Sequence, residues 1–159
     1  MPHGVLDRGE SEGLIRQRII ENNLIDTIIG LPPNLFYGTS IPTCLIILKN
    51  NKKNKDIFFI DGSFEYYKDK RQNKLREEDI SKILTAYRKR KDILKYCRAV
   101  SFEEIKANNY NLNISRYLIS AEEKSDINLN TSKGEIDNLE TEREKLRNSI
   151  NNIFKEIKI

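Results

Sequence analysis

The sequence has few of the residues that usually mark a metal site or a secreted domain. Its 159 residues include one histidine, two cysteines and no tryptophan. His3 has no carboxylate or thiol at a ligand spacing, so we predict a loop or packing role for it and no metal site. Cys44 and Cys97 also lack metal-type partners, and such a pair is typical of reduced thiols inside cells.

Long apolar runs are also absent. None approaches the roughly 20 residues that a membrane-spanning helix requires, and the N-terminus lacks the charged-then-apolar pattern of a signal peptide. These absences predict a cytoplasmic protein without membrane contact. No G-x-G pattern occurs in the sequence, so the glycine-rich turn that holds a nucleotide cofactor after the first strand of many α/β folds is missing.

The charge is mildly basic. Charged residues make up 33% of the chain and the net charge is +4, which permits nucleic-acid contact without requiring it. Basic clusters occur at residues 52–55, 68–74 and 88–91. They are interpreted either as phosphate contacts or as solvated loops and a helix C-terminus. The best candidates for phosphate contact are Lys68, Lys70, Arg71 and Lys74.

The rest of the chain is arranged around a long loop between two apolar runs. Residues 25–29 and 43–48 are near-continuous runs of β-branched residues and leucine, which predict strands buried on both faces. A hairpin needs only a few linking residues, whereas this link contains three prolines, two glycines and two aromatic residues. Long ordered links inside compact domains are more often functional than accidental.

The remaining pattern alternates helices and strands. Ile80, Ile83, Leu84 and Tyr87 follow the helical i, i+3, i+4, i+7 template. Residues 50–55 are predicted as a polar hairpin link and residues 62–74 as irregular. We predict three helices, over residues 11–22, 76–91 and 101–107. Ser11 is the predicted N-cap of the first helix, and Ser101 and Glu104 form a predicted capping box in the third. A third strand is predicted over 56–61 and an extended segment over 114–119.

A heptad pattern ends the chain after a polar linker over residues 120–132. Residues 133–159 carry apolar side chains spaced alternately three and four apart, with Arg143 as a charged exception. A stripe this narrow predicts pairing with another helix, in its own domain, in a second copy or in a partner. The seam residues are Ile136, Leu139, Leu146, Ile150, Ile153 and Ile157.

Five stretches resemble, in the same order, the C-terminal part of the catalytic region in the methylation (M) subunits of type I restriction-modification systems. They are PHGVLDRG, GLPPNLFYGTSIPTCLIIL, DIFFIDGS, QNKLREEDISKIL and YNLNISRYL. Those subunits are DNA adenine-N6 methyltransferases that use S-adenosylmethionine. In the family a buried strand directly precedes the PHGV segment, so we expect this chain to begin inside the fold.

The resemblance implies an α/β fold. We expect the C-terminal fragment of a Rossmann-like methyltransferase fold, a helix plus antiparallel edge strands, over residues 1–62. An α-helical extension over residues 63–119 and a long C-terminal coiled-coil-type helix should follow.

The resemblance also implies roles for the long loop. The family's catalytic motif is Asn or Asp, then Pro-Pro, then an aromatic residue, but here Leu31 precedes the two prolines and Asn34 follows them. We therefore assign no catalytic residue to this chain, and expect S-adenosylmethionine to bind the intact enzyme rather than this chain alone. In related enzymes an aromatic residue of this loop stacks on the flipped base, a position matched by Phe36 with Tyr37 as the near alternative. Local sequence alone fits equally well with Phe36 as a core residue.

The partners implied by the resemblance are DNA, the specificity (S) subunit and the restriction (R) subunit. In the family, the C-terminal helices of M subunits pack against helices of the S subunit. The competing hypothesis is a non-catalytic remnant that binds a partner helix or DNA through its C-terminal helix, and self-association through that helix is a further alternative.

Overall fold

The computed structural model describes residues 1–119, together with the single helical positions Arg143 and Arg147. The strands are β1 (Ile25–Leu31), β2 (Thr43–Leu48), β3 (Ile57–Asp61), β4 (Tyr67–Asp69), β5 (Gln72–Lys74) and β6 (Cys97–Val100). The helices are a 3-10 turn (His3–Leu6), α1 (Glu10–Glu21), α2 (Glu77–Lys89), α3 (Phe102–Ala107) and α4 (Ile114–Leu118). No helix within these described residues is both long and apolar enough to cross a membrane.

The main sheet has the strand order β2-β1-β3-β6. β1 pairs antiparallel with β2 and parallel with β3, where Ile28 lies opposite Phe59, and β3 pairs antiparallel with β6. The predicted hairpin link over residues 50–55 is therefore wrong, because the chain crosses from β2 past β1 before it forms β3. The mixed sheet agrees with the expected α/β class and with an antiparallel strand at the edge.

Burial explains this strand order. All seven residues of β1 are buried, as the apolar run predicted, so β1 takes a position with neighbours on both sides. β2 was also predicted to be buried on both faces, and this is wrong: Leu45 and Leu48 are 49% and 59% exposed. β2 lies at the edge of the sheet, so one side of the strand has no neighbouring strand among the described residues.

Two hydrophobic clusters lie on opposite faces of the sheet. Adjacent side chains of β3 point to opposite faces, and Phe58 and Phe59 belong to different clusters. The Phe59 face is covered by α1, α3 and α4, and the Tyr117 ring lies 4.7 Å from that of Phe59. The Phe58 face is covered by α2 through Ile83. Because helices cover both faces of the sheet, side chains on both sides of β3 are buried, and its sequence is a continuous apolar run.

Local structure differs from the sequence-based prediction at two helices. Residues 114–119 were predicted to be extended, but α4 forms there because the Asn113 side chain accepts a hydrogen bond from the Ser115 amide, 3.2 Å away, and caps the helix. Tyr117 is then fully buried. Helix α1 begins at Glu10 with Gly9 as N-cap, so Ser11 is not the cap.

The predicted capping box of α3 forms by half. The Ser101 hydroxyl accepts a hydrogen bond from the Glu104 amide at 3.2 Å. The Glu104 carboxylate instead pairs with the Arg98 guanidinium on β6 at 2.8 Å, which ties the helix to the sheet. β6 itself was not predicted, because its four residues lack a recognisable strand pattern.

The predicted linker and heptad helix lie outside the described residues, apart from Arg143 and Arg147, which are helical and exposed. The seam positions Ile136, Leu139, Leu146, Ile150, Ile153 and Ile157 thus remain a prediction from the sequence.

Candidate functional site

The carboxyl ends of β1 and β3 meet at one edge of the sheet, because these two strands are parallel neighbours. In open α/β sheets, ligands bind outside the carboxyl ends of the strands. The amide of Gly62 donates to the carbonyl of Gly30 at 3.0 Å and joins the starts of the two loops. A Cβ atom at position 62 would lie 2.8 Å from that carbonyl oxygen, so only glycine permits this approach.

The loop after β1, residues 32–42, is called the aromatic loop below, and residues 67–74, which form β4 and β5, are called the basic hairpin. Residues 62–74 were predicted to be irregular, and this is wrong, since Tyr67–Asp69 pairs antiparallel with Gln72–Lys74. The turn lacks the Asn-Gly or Asp-Gly signal of tight hairpins, and Lys70 adopts a positive φ of 39° instead. This absence explains why the sequence did not predict the hairpin.

The basic hairpin lies directly against the aromatic loop. The Asn73 amide donates to the Asn34 carbonyl at 2.9 Å, and the Asn73 side chain donates to the Pro33 carbonyl at 2.7 Å. The Gln72 side chain donates to the Leu35 carbonyl at 2.7 Å. The structure therefore brings together the two regions that the sequence singled out separately, the Phe36 loop and the basic cluster over residues 68–74.

Phe36 and Tyr37 are presented to solvent at this edge. The exposed fractions are 51% for Phe36 and 92% for Tyr37. Leu35, and not Phe36, packs against the hydrophobic cluster on the α2 face, so the core-anchor role considered for Phe36 belongs to its neighbour. A third aromatic side chain, Phe64 in the loop after β3, is 83% exposed. The sequence analysis missed it because a single phenylalanine in a polar stretch gives no periodic signal.

The side chains of Lys68, Lys70, Arg71 and Lys74 are exposed on the basic hairpin. Lys74 Nζ lies 2.6 Å from Asp69 Oδ2. This hydrogen bond and the Asp69 charge raise the pKa of Lys74, with smaller contributions from Tyr67 and Tyr37. Tyr67 lies directly opposite Lys74 in the β4–β5 pair, so cationic and aromatic groups share one surface.

One cation of each of the other two basic clusters contributes to the fold. Arg90 follows α2 in the left-handed conformation, and its guanidinium pairs with Asp26 on β1 at 3.1 Å. Lys52 Nζ donates to the carbonyls of Ile25 and Asp56 at 2.5 and 2.8 Å. Desolvation by these surroundings lowers the pKa of Lys52. These two cations hold strands and a helix together, so we do not retain them as phosphate contacts.

The histidine and the thiols have packing roles. His3 Nε2 lies 2.9 Å from the Thr43 carbonyl oxygen. Cys44 and Cys97 are free and buried, and desolvation raises the pKa of both thiols. Among the described residues, no three potential ligands of the His, Cys, Asp or Glu type come together at a metal-binding distance.

The family assignment rests on comparison with known proteins. The family model described as N-6 DNA Methylase matches residues 1–126. The chain belongs to the N-6 DNA methylase family. The five-stretch resemblance is thereby confirmed at the level of the family, and the sheet edge described above lies within the matched residues.

Curated relatives carry a more specific name. The chain is 35% identical over 157 residues to the type I restriction enzyme MpnII methylase subunit of Mycoplasma pneumoniae, covering 98% of this chain and 29% of that protein. It is 40% identical over 145 residues to the MjaVIII methylase subunit of Methanocaldococcus jannaschii, covering 87% of this chain and 25% of that protein. The chain thus spans about a quarter to a third of these relatives.

A solved structure is similar as well. The crystal structure of the type I restriction-modification system methyltransferase subunit from Streptococcus thermophilus matches with a TM-score of 0.72 and 56% identity. The match covers 74% of this chain and 25% of that subunit. The mixed sheet with its flanking helices is therefore a fold shared with a type I methyltransferase subunit.

One groove among the described residues, beside α1, does not fit S-adenosylmethionine, the cofactor of the family. This groove of about 380 Å³ is lined almost entirely by apolar side chains such as Val5, Ile19 and Ile46. Its one guanidinium, Arg16, already donates to the carbonyls of Val5, Arg8 and Tyr110. Glu12 is the other charged residue of the groove, so the ribose hydroxyls and the carboxylate of the cofactor would lack the polar partners that ligand sites supply.

Proposed function

We propose that this chain forms part of the methylation subunit of a type I restriction-modification system. The complete subunit transfers a methyl group from S-adenosylmethionine to N6 of adenine in DNA. The observation that carries this proposal is the 56% identity to the Streptococcus thermophilus subunit over 74% of this chain. The short share of the relatives that the chain spans supports a contribution to the enzyme rather than the whole of it.

The aromatic loop holds the target base. An enzyme that modifies a base must extrude it from the stack and hold it in a pocket, commonly on an aromatic face. Phe36 is a half-exposed ring at the carboxyl edge of the parallel strands, and its neighbour Leu35 is anchored in the core. These features support stacking of the base on Phe36, with Tyr37 as the neighbouring alternative.

The basic hairpin contacts DNA phosphates beside that base. Lys68, Lys70 and Arg71 are exposed on it, and Lys74 adds a cation that is shared with Asp69. Phosphate contacts of this kind supply affinity and register without sequence choice. Their location next to the aromatic loop supports this role over that of a merely solvated surface.

A chimeric subunit tests the proposed function. Residues 1–119 of this chain replace the matching segment of the Streptococcus thermophilus subunit, and N6-methyladenine is measured on DNA after assembly with the specificity subunit of that system. We expect methylation within about tenfold of the parent enzyme, since about 1.4 kcal/mol in the barrier covers imperfect junctions. The inactive control replaces the first residue, Asn or Asp, of the family's catalytic Pro-Pro motif in the parent. A chimera that folds, assembles and binds DNA but does not methylate it contradicts the proposal and favours a non-catalytic remnant.

The C-terminal heptads dock the chain on the specificity subunit. Leu146 and Ile150 are seam residues near the middle of the heptad segment, residues 133–159. We expect the pair of substitutions Leu146→Asp and Ile150→Asp to abolish co-purification with the specificity subunit, because two carboxylates would enter an apolar helix contact. Arg147→Ala, at an exposed helical position between them, is the matched control. If the Asp variant still co-purifies with the specificity subunit, this docking is ruled out. If the Asp variant, measured without the specificity subunit, has a lower mass in solution than the wild type, the heptad helix mediates self-association instead.

A further inference from the structure

We propose that the basic hairpin sets the position of the aromatic loop, and that Asn73 and Gln72 are positioning residues for Phe36. This inference rests on the proposed base-holding role of that ring. It adds a function for two uncharged residues that lie among the hairpin cations.

The hydrogen bonds converge on the backbone immediately before Phe36. Asn73 and Gln72 donate to the carbonyls of Pro33, Asn34 and Leu35, three consecutive residues, at 2.7–2.9 Å. Loop backbone lacks the regular partners of a strand, so its carbonyls depend on such donors. With three successive carbonyls held, little freedom remains for the main chain that carries the ring.

The contact is reciprocal. Asn34 adopts a positive φ of 54°, a conformation that asparagine tolerates better than most residues. Its side chain donates to the carbonyl of Arg71 at 2.9 Å. The loop therefore donates a hydrogen bond to the turn of the hairpin, and the hairpin donates hydrogen bonds to the loop. We call this set of three amide residues, Asn34, Gln72 and Asn73, the amide clamp.

Burial of Asn73 distinguishes its hydrogen bonds from a surface contact. Asn73 is only 7% exposed, although both flanks of its hairpin are charged. A buried amide must keep its partners, because an unmade hydrogen bond at such a site is costly. At the far end of the loop, the Pro42 carbonyl accepts from the His3 amide at 3.3 Å. The loop is thus held at both ends, with Phe36 and Tyr37 between them.

The clamp also couples the two DNA contacts. Lys70 and Arg71 form the turn of the hairpin, and the Arg71 carbonyl is bound by Asn34. A phosphate bound by these side chains therefore has a defined position relative to the base-holding ring. Placement within about 1 Å matters at such sites, since a small displacement can cost as much as about 100-fold in rate.

A double-mutant cycle in the chimeric methylase tests the clamp. Asn73→Leu removes the side-chain donor while keeping a similar branched shape. We expect kcat to fall about tenfold with KM for DNA changed less than about twofold, because the ring is misplaced while the phosphate contacts remain. In a Phe36→Ala background the same substitution should lower kcat less than about twofold, since its effect passes through the ring. Additive losses in the two backgrounds overturn the proposal.

The control is Lys68→Ala on the same hairpin. It should raise KM and reduce the salt dependence of DNA binding while leaving kcat nearly unchanged, the opposite pattern to Asn73→Leu. Should Asn73→Leu not fold, Gln72→Met loses only the bond to the Leu35 carbonyl and should lower kcat about threefold by the same route. An unchanged kcat in that variant contradicts the clamp.

Hydrogen exchange separates failure of the clamp from failure of the proposed function. In the full chain by itself, Asn73→Leu should speed amide exchange in the peptide that contains Phe36 and Tyr37, with exchange in β1 and β3 unchanged. Unchanged exchange in that peptide overturns the clamp even if the chimera methylates DNA. A chimera without activity, with faster exchange in the variant, refutes the proposed function and leaves the clamp standing.

Discussion

If the aromatic loop holds the target base as proposed, replacing Phe36 with alanine in the chimeric methylation subunit should lower kcat/KM by roughly 5- to 150-fold. This range corresponds to the about 1–3 kcal/mol that base–aromatic stacking supplies. The substitution should leave the free energy of unfolding nearly unchanged, because the ring is already 51% exposed. Methylation of DNA, measured under single-turnover conditions, separates loss of base holding from slow product release.

Three further variants make this prediction specific. Phe36→Tyr keeps a stacking face and should retain activity. Tyr37→Ala should have a small effect, and a larger loss there than in Phe36→Ala would assign the base contact to Tyr37. Leu35→Ala should instead lower stability, since Leu35 packs on the hydrophobic cluster. Full activity in both Phe36→Ala and Tyr37→Ala would refute the base-holding loop.

Replacing Asp26 with alanine should destabilise the folded chain by about 3 kcal/mol, the lower end of the range for breaking a buried ion pair. The Asp26 side chain is 5% exposed and lies 3.1 Å from Arg90 and 3.6 Å from Lys49. It also accepts a hydrogen bond from the Thr27 hydroxyl at 2.9 Å. Its loss leaves the Arg90 guanidinium over the Phe58 ring without its counter-ion. Partial exposure of Arg90 and Lys49 keeps the effect at that lower end.

The same carboxylate makes stability depend on pH. Burial by itself raises the pKa of Asp26, but the Thr27 hydrogen bond and the charges of Arg90 and Lys49 outweigh it and lower the pKa below its ordinary value. A carboxyl with a lowered folded pKa stabilises the fold above its unfolded pKa of about 4. That contribution is lost as the pH falls through the folded pKa.

Urea unfolding of the wild type and of Asp26→Ala from pH 7 to pH 3 measures this. The difference between their unfolding free energies should be constant near neutral pH and shrink below about pH 4. Pairing Asp26→Leu with Arg90→Met should recover part of the loss, since two apolar side chains leave no uncompensated charge. A difference that does not change with pH would contradict the assigned role of the carboxylate.

Continuous patterns were predicted correctly. The apolar runs over residues 25–29 and 56–61 coincide with β1 and β3, and the periodic stripe of Ile80, Ile83, Leu84 and Tyr87 falls within α2. These signals are local, because a side chain repeat of two or 3.6 residues depends only on neighbours in the chain. The five family stretches are local in the same sense, which is why they were sufficient for the family assignment.

Contacts between distant segments were not predicted. Asn73 and Asn34 are far apart in the sequence, and so are Arg90 and Asp26. In the sequence, Asn73 belongs to a polar stretch and Arg90 to a basic helix end with a dipole explanation of its own. Nothing in either stretch specifies a hydrogen-bond partner, because partner choice depends on where the sheet brings the two segments.

The amino-acid sequence alone determined the family, three of the six strands and three of the four α-helices among the described residues, and the aromatic loop as a place of interest. Only the tertiary structure decided that β3 lies beside β1 and not beside β2, and that the basic hairpin packs on that loop. The physical reason is that strand neighbours and buried polar pairs are selected by burial of the whole sheet. The residues next to a given position in the sequence do not specify which distant segment it will contact.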